Sequence, residues 1–122
     1  MNVVDSSGWL AYFAGTKNAA AFASPIEDTS RLLVPTISLF EVFKRVLLQR
    51  GEADALRAAA LMHQGTVVDL DAPLALDAAR LSVRDALPMA DSIMLATARA
   101  NQATLWSQDT DFKGMPGVRF VP

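Results

Sequence analysis

Leu87-Pro88-Met89-Ala90-Asp91 and Leu105-Trp106-Ser107-Gln108-Asp109-Thr110-Asp111-Phe112 are the first and last segments of the region around which the predicted fold is organised. The first segment predicts the start of a helix, because proline suits the first helical position and an acid favours the positive end of the helix dipole. Residues 103–106 are too few for another helix and predict a short buried strand. The last segment predicts an acidic turn directly after that strand.

The acids of this stretch fall where open α/β sheets usually place their ligands, at the carboxyl ends of the strands. Asp109 and Asp111 follow the predicted strand, and Asp91 lies in the first turn of the preceding helix. We therefore expect two or three carboxylates to converge on one edge of the sheet. Since convergent carboxylates repel one another, we also expect a cation between them.

Strands and helices alternate along the rest of the chain. Short apolar runs predict four further strands, at residues 1–4, 32–34, 66–68 and 118–121. Helices are predicted between them, after Asp5 and over residues 37–50, 52–64 and 71–85. Residues 18–23 predict a short helix, followed by a loop over residues 24–30. This alternation is typical of α/β proteins, so we expect a three-layer α/β/α sandwich around a short, mostly parallel sheet.

The helix over residues 37–50 carries a wide apolar arc, formed by Leu39, Phe40, Val42, Phe43, Val46 and Leu47. An arc of this width is typical of a helix that is buried on most sides. Glu41 falls at the edge of the arc, where we expect it to lie at the boundary of the core.

Length and composition narrow the classes of protein that the chain can represent. Its 122 residues suit one domain, and 52% of them are hydrophobic, so folding needs no disulfide or structural metal. Cysteine is absent, which excludes thiolate ligands and suits a reducing compartment. We see no signal peptide and no run of transmembrane length, and we expect a cytoplasmic protein. The net charge of −2 argues against a protein coated with basic residues for nucleic acid, but not against a metal-dependent nuclease.

Four acids recur at equivalent structural positions. Asp5 follows the first strand, Glu41 lies on the apolar helix, Asp91 begins a helix, and Asp109 follows a strand. Phosphodiester hydrolysis with Mg²⁺ or Mn²⁺ needs such a set, because carboxylates bind hard cations that polarise the phosphoryl oxygen and activate water. No histidine or cysteine is required for this chemistry.

Each of these acids also has a simpler structural explanation. Asp5 suits a helix cap, Glu41 a helix boundary and Asp91 the helix dipole, while Asp109 and Asp111 suit an ordinary turn. The remaining aspartates between the third strand and residue 85 are assigned to caps or to the surface: Asp69, Asp71, Asp77 and Asp85. His63, the one histidine, is assigned to the surface.

Four segments together resemble a known family. They are Val3-Val4-Asp5-Ser6-Ser7, Pro35-Thr36-Ile37-Ser38-Leu39-Phe40-Glu41-Val42, Leu87-Pro88-Met89-Ala90-Asp91-Ser92-Ile93-Met94-Leu95-Ala96-Thr97-Ala98, and the acidic turn with its preceding strand. In this order and spacing the chain resembles a PIN domain, and within that group the VapC ribonuclease toxins of toxin–antitoxin pairs. The resemblance covers nearly the whole chain.

The resemblance implies roles for individual residues. It implies metal-binding, catalytic acids at Asp5, Glu41, Asp91 and Asp109, and a weaker, accessory acid at Asp111. Ser6 matches a hydroxyl residue that often supports the first aspartate. Ser107 stands where the family often has threonine, which keeps the hydroxyl. Phe40 stands where many relatives have asparagine or alanine.

The resemblance also implies an activity and partners. The activity is that of a divalent-metal-dependent endoribonuclease, with Mg²⁺ or Mn²⁺ as cofactor and RNA as substrate. The partners are a small antitoxin that covers the site and a second copy of the chain in a homodimer. Lys44, Arg45 and Arg99 are candidates for RNA-facing cations, although each also suits solvated surface. Likewise, Trp9, Tyr12 and Phe13 suit either an interface or the core.

Two other classes of protein stay open at this point. A receiver-type signalling domain also gathers carboxylates and Mg²⁺ at strand ends, with a phosphoacceptor aspartate after a middle strand and a lysine late in the chain. Asp69 follows the third strand, but the acid after the first strand is single and Lys113 directly follows the acidic turn. A non-catalytic PIN-like adaptor is the other alternative, and the complete set of acids argues against it.

Overall fold

Five short strands alternate with six helices along residues 1–122, all of which the computed structural model describes. The strands are β1 (Asn2–Val4), β2 (Leu32–Pro35), β3 (Thr66–Val68), β4 (Thr104–Ser107) and β5 (Val118–Phe120). The helices are α1 (Ser6–Ala14), α2 (Ala19–Glu27), α3 (Thr36–Arg50), α4 (Glu52–Met62), α5 (Ala72–Asp85) and α6 (Met89–Ala100). Two 3₁₀ turns, Thr29–Arg31 and Thr110–Phe112, complete the structure. No helix combines the length and the apolarity needed to cross a bilayer.

All five strands run parallel, in the order β3-β2-β1-β4-β5, which confirms the predicted parallel sheet. Strands β2 and β3 are added successively on one side of β1, and the chain then crosses back to place β4 on the other side of β1. Ligands of open α/β sheets bind beyond the carboxyl ends of the strands at such a reversal. The order also differs from the 2-1-3-4-5 order of flavodoxin-like folds, so the receiver-type alternative is wrong.

The sheet separates two apolar clusters, which confirms the three-layer architecture. Because successive side chains of a strand point to opposite faces, Val3 and Leu33 pack on one face while Val4 and Val34 pack on the other. The first face is covered by α5 and α6, and the second by α1, α2, α3 and α4. Phe112 of the acidic turn is fully buried in the first cluster, so the turn is anchored to the core.

Two expectations from the sequence are wrong. The segment from Ser24 to Glu27 is not a loop, because α2 continues through Pro25 to Glu27. Phe22, Pro25 and Ile26 form a buried stripe against the sheet, and this tertiary packing outweighs the local signal of the proline. Helix α3 is not buried on most sides either. Its Val42 is fully buried, but Phe40 is 60% exposed, because no further layer covers that side of the helix.

The assignments of isolated residues agree with the structure. Asp71 caps α5, where its carboxylate accepts from Leu74 N at 3.0 Å. His63 is exposed at the end of α4, and Asp69, Asp77 and Asp85 are exposed as well. Trp9 is fully buried in the core. Helix α6 begins at Met89 rather than at Pro88, which serves as its cap, and Asp91 lies in the first turn as expected.

Gly8 tests the close packing of α1 against the sheet. A Cβ at this position would lie 2.7 Å from Phe22 Cε1 and 2.7 Å from Val4 Cγ1, so Gly8→Ala forces two buried side chains apart. We expect a loss of about 1–3 kcal/mol in the free energy of unfolding, measured by urea denaturation. The loss should be smaller when measured in a Phe22→Leu background, which removes the ring atoms. An equal loss in both backgrounds would contradict this packing.

Candidate active site

Asp5 lies at the reversal point of the sheet, directly after β1. Its backbone N–H donates to Trp106 O of β4 at 3.0 Å, and its side chain is 2% exposed. The carboxylate caps α1 by accepting from Gly8 N at 2.9 Å, which agrees with the simple cap interpretation. It also accepts from Ser7 Oγ at 2.8 and 3.0 Å and from Ser107 Oγ at 2.6 Å. This network fixes the orientation of both carboxylate oxygens.

Hydroxyl side chains link the acids to one another. Ser107, at the end of β4, donates to Asp5 and accepts from Asp109 N at 2.9 Å, so one buried hydroxyl holds two acidic segments together. Ser6 does not support Asp5, as the resemblance implied, because its Oγ donates to Glu41 Oε1 at 2.6 Å. The hydroxyl beside Asp5 is that of Ser7 instead, which the sequence interpretation missed. The cap position of Asp5 predicts a bond from the backbone N–H of the second or third residue after it, as seen for Gly8, but it does not predict which neighbouring hydroxyl also donates.

Three acids form the tightest cluster of carboxylates. One oxygen from each of Asp91, Asp109 and Asp111 lies within 4.8 Å of the other two. Asp91 and Asp109 are half-buried, whereas Asp111 is exposed. Asp109 caps the 3₁₀ turn by accepting from Asp111 N at 2.9 Å, which orients the turn. Asp111, the weaker candidate in the sequence, is therefore close to Asp91 and Asp109, while Asp5 and Glu41 lie outside this group of three.

Asp91 is in the electrostatic field of all the other candidate acids. Burial raises its pKa to about 7, together with the negative charges of Asp109, Asp5, Asp111 and Glu41, in decreasing order. Burial also raises the pKa of Asp5 above its ordinary value, although the hydrogen bonds from Ser107, Gly8 and Ser7 act in the opposite direction. The five acids thus lie close enough for the charges of the other four to act on Asp91.

The donor set fits a hard divalent cation. Carboxylate oxygens are the ligands that Mg²⁺ and Mn²⁺ prefer, and the cluster offers several of them within a few ångströms. None of the five acids forms a salt bridge, because the ion pairs of the structure all involve other residues. No protein cation therefore neutralises the cluster, and its charge is left for an ion to balance.

Comparisons with known proteins agree with this geometry. The family model described as PIN domain matches residues 3–118. A toxin–antitoxin complex from Klebsiella pneumoniae is similar in structure, with a TM-score of 0.83 and 20% identity over 98% of this chain and 96% of that one. VapC20 of Mycobacterium tuberculosis, described as a sarcin-ricin loop cleaving toxin, gives a TM-score of 0.79 and 21% identity over 99% and 97%. DNA-bound VapBC from Salmonella typhimurium gives a TM-score of 0.75 and 15% identity over 98% of this chain and 96% of that one. No curated protein sequence matches the chain.

Asp91→Asn tests the crowding of charge. Because the pKa of Asp91 is raised to about 7 from 3.8, the unfolded state loses this proton before the folded state does. Stability should therefore fall as the pH rises from about 4 to about 7, and then stay level. The variant lacks this loss, so without metal it should melt higher than the unaltered protein at neutral pH. Its advantage should disappear near pH 4. Thermal melts in EDTA measure both effects.

Asp69→Asn is the matched control, since Asp69 is exposed and is not among the charges that act on Asp91. Mg²⁺ should raise the melting temperature of the unaltered protein and of the control by mass action, and that of Asp91→Asn much less. A variant that melts lower in EDTA would mean that Asp91 serves the helix dipole, whose loss costs about 0.3–1 kcal/mol.

Proposed function

The chain belongs to the PIN domain family, and on this basis we propose that it is a divalent-metal-dependent endoribonuclease, the toxin of a type II toxin–antitoxin system. The observation that carries the proposal is that the charges of four other acids act on Asp91, while none of the five acids pairs with a basic side chain. The likeness to a toxin–antitoxin complex and to a sarcin-ricin loop cleaving toxin supports the choice of RNA and of the toxin role.

We assign Asp5 and Asp91 as the principal metal ligands. Glu41 and Asp109 complete the site, directly or through water, and orient the attacking water, while Asp111 is an accessory ligand at its open side. A bound Mg²⁺ or Mn²⁺ would supply Lewis-acid polarisation of the phosphoryl oxygen and a more acidic water. The cation would also favour the ionised form of Asp91, whose proton is otherwise retained up to about pH 7.

The serines act as positioning residues in this proposal. Ser107 holds Asp5 and the backbone of Asp109 in a fixed relation, and Ser7 holds the second oxygen of Asp5. Ser6 turns the carboxylate of Glu41 toward the start of α1. Groups of this kind around ligating carboxylates fix their direction, so that little rearrangement accompanies metal binding.

The proposed partners are an antitoxin and a second copy of the chain. Exposed apolar surface supports an antitoxin, because α1, α3 and α4 enclose a groove of about 240 Å³ that is lined by Leu10, Phe13 and Leu61 among others. The solved structures that resemble this chain include VapBC complexes, which agrees with such a partner. The homodimer follows from the resemblance to VapC toxins alone.

Cleavage of RNA by the purified chain, free of any partner, is the experiment that tests the proposal. With Mg²⁺ or Mn²⁺ we expect cleavage of a structured RNA, followed on a gel. EDTA should abolish it, and Asp91→Asn should reduce it to the level seen in EDTA, whereas Asp69→Asn should cleave like the unaltered protein. Unchanged cleavage in excess chelator would reject the metal mechanism. A chain that binds metal and RNA but never cleaves would support the non-catalytic adaptor.

Asp109 and Asp111 should differ in their contributions. Asp109 is half-buried and acts more strongly on Asp91 than the exposed Asp111 does. We expect Asp109→Asn to slow cleavage on the order of 10- to 100-fold, and Asp111→Asn clearly less. Asparagine keeps the acceptor oxygen of the turn, so the comparison isolates the charge. Single-turnover rates on one RNA give the ratio, and the reverse order would place the site at the other end of the turn.

A further inference from the structure

The outer side of α3 carries an unusual combination of side chains next to Glu41. Phe40 is 60% exposed, and Lys44 Nζ lies 5.7 Å from the centroid of its ring. Arg45 is exposed one residue further along the helix. Together with Leu48 and with Glu41 itself, these residues line a groove of about 220 Å³. The groove therefore begins at one of the candidate catalytic acids and continues along an aromatic and basic surface.

The two cations of the groove have no acidic partner. Glu41 precedes Lys44 by three residues and Arg45 by four, which is the spacing and the direction that favour ion pairs on a helix. Neither pair forms, and one oxygen of the Glu41 carboxylate accepts from Ser6 Oγ at 2.6 Å instead. The positive charges of Lys44 and Arg45 are therefore exposed and unpaired beside the group of five acids.

We propose that this groove binds single-stranded RNA beside the acid cluster, with Phe40 stacked against one unpaired base and Lys44 and Arg45 bound to the neighbouring phosphates. The inference rests on the proposed function and names how the substrate is held. Aromatic side chains that stack on splayed bases, next to basic residues that follow the backbone, are the usual means of binding single-stranded RNA. The Lys44 ammonium already lies over the Phe40 ring. A base stacked on Phe40 would therefore bring its own phosphate close to the charge of Lys44.

The lining of the groove favours RNA over a protein partner. Its large apolar side chains are only Phe40 and Leu48, whereas a stable protein interface buries about 800 Å² on each partner around a core depleted in charge. Two unpaired cations in the groove match a phosphodiester backbone better than such a core.

RNA binding without cleavage tests this inference. Fluorescence anisotropy of a short, unstructured, labelled RNA is measured in EDTA with the Asp91→Asn protein as background. Phe40→Ala should raise the dissociation constant at least about fivefold, which corresponds to the loss of one stacked base. Phe40→Trp should keep the affinity, since it keeps an aromatic face, and Phe40→Leu should lose as much as Phe40→Ala. Because the side chain is mostly exposed, all three variants should melt like the background protein.

The basic residues are tested through salt dependence. For a single strand, each phosphate contact that is removed should lower the slope of log Kd against log salt concentration by about 0.7. We expect this change for Lys44→Gln and again for Arg45→Gln. Arg50→Gln is the control for charge, because Arg50 lies at the far end of the same helix and forms no ion pair. Leu56→Ala, an exposed apolar residue outside the groove, is the control for the loss of apolar surface.

The outcomes separate this inference from the proposed function. Equal RNA affinity for Phe40→Leu and the background protein would overturn it, because the contact would then be merely apolar. It would also be overturned if Phe40→Ala left RNA binding unchanged but altered the molar mass in light scattering, since the surface would then serve a second copy of the chain. By contrast, binding that depends on Phe40 in a protein that never cleaves RNA would support the groove and reject the nuclease.

Discussion

Carboxylates that lie close together at one edge of the sheet repel one another, and the surrounding structure holds them in place against this repulsion. Asp91 shows this most directly, because its burial and then the charges of four other acids raise its pKa to about 7. Such a cluster persists only where the chain holds each acid in place. The parallel pairing of β1 with β4 provides the first restraint, since it brings the residues after both strands to the same point. The packing of α6 and of Phe112 into one core cluster provides the second.

The acids are held by different means because they come from distant parts of the chain. Asp5 is held by the N-terminus of α1 and by the hydroxyls of Ser7 and Ser107. Glu41 is held by the hydroxyl of Ser6, at the start of α1. Asp109 is tied to β4 through Ser107 and to its own turn through Asp111 N. Neutral hydroxyls and amides can orient a carboxylate without cancelling its charge, which a lysine or arginine in the same place would do. The cluster therefore keeps the charge that binding a divalent cation requires.

The proposed nuclease site has an inherent conflict, because acids that would bind a metal would also repel a phosphodiester. In the proposal, this conflict is resolved by separation. Asp5 and Asp109 follow β1 and β4 at the carboxyl edge of the sheet, while Lys44 and Arg45 lie beyond Glu41 on α3 and form no ion pair. One turn of α3 thus carries the negative charge of Glu41 followed by the positive charges of Lys44 and Arg45, although the net charge of the chain is only −2.

The order of the elements, the parallel sheet and the acids that come together at its edge could be predicted from short-range patterns: apolar runs of strand length, cap residues and acids directly after strands. The arrangement of these acids depends on the folded chain and could not be predicted in this way. Hydrogen-bond partners do not follow from position along the chain: the resemblance pairs Ser6 with Asp5, whereas Ser6 contacts Glu41 and the hydroxyls bound to Asp5 are those of Ser7 and Ser107. The burial of a helix face likewise depends on whether a sheet or another helix packs against it in the folded chain. Packing against the sheet extended α2 through Pro25, and the lack of a further layer left Phe40 exposed on α3.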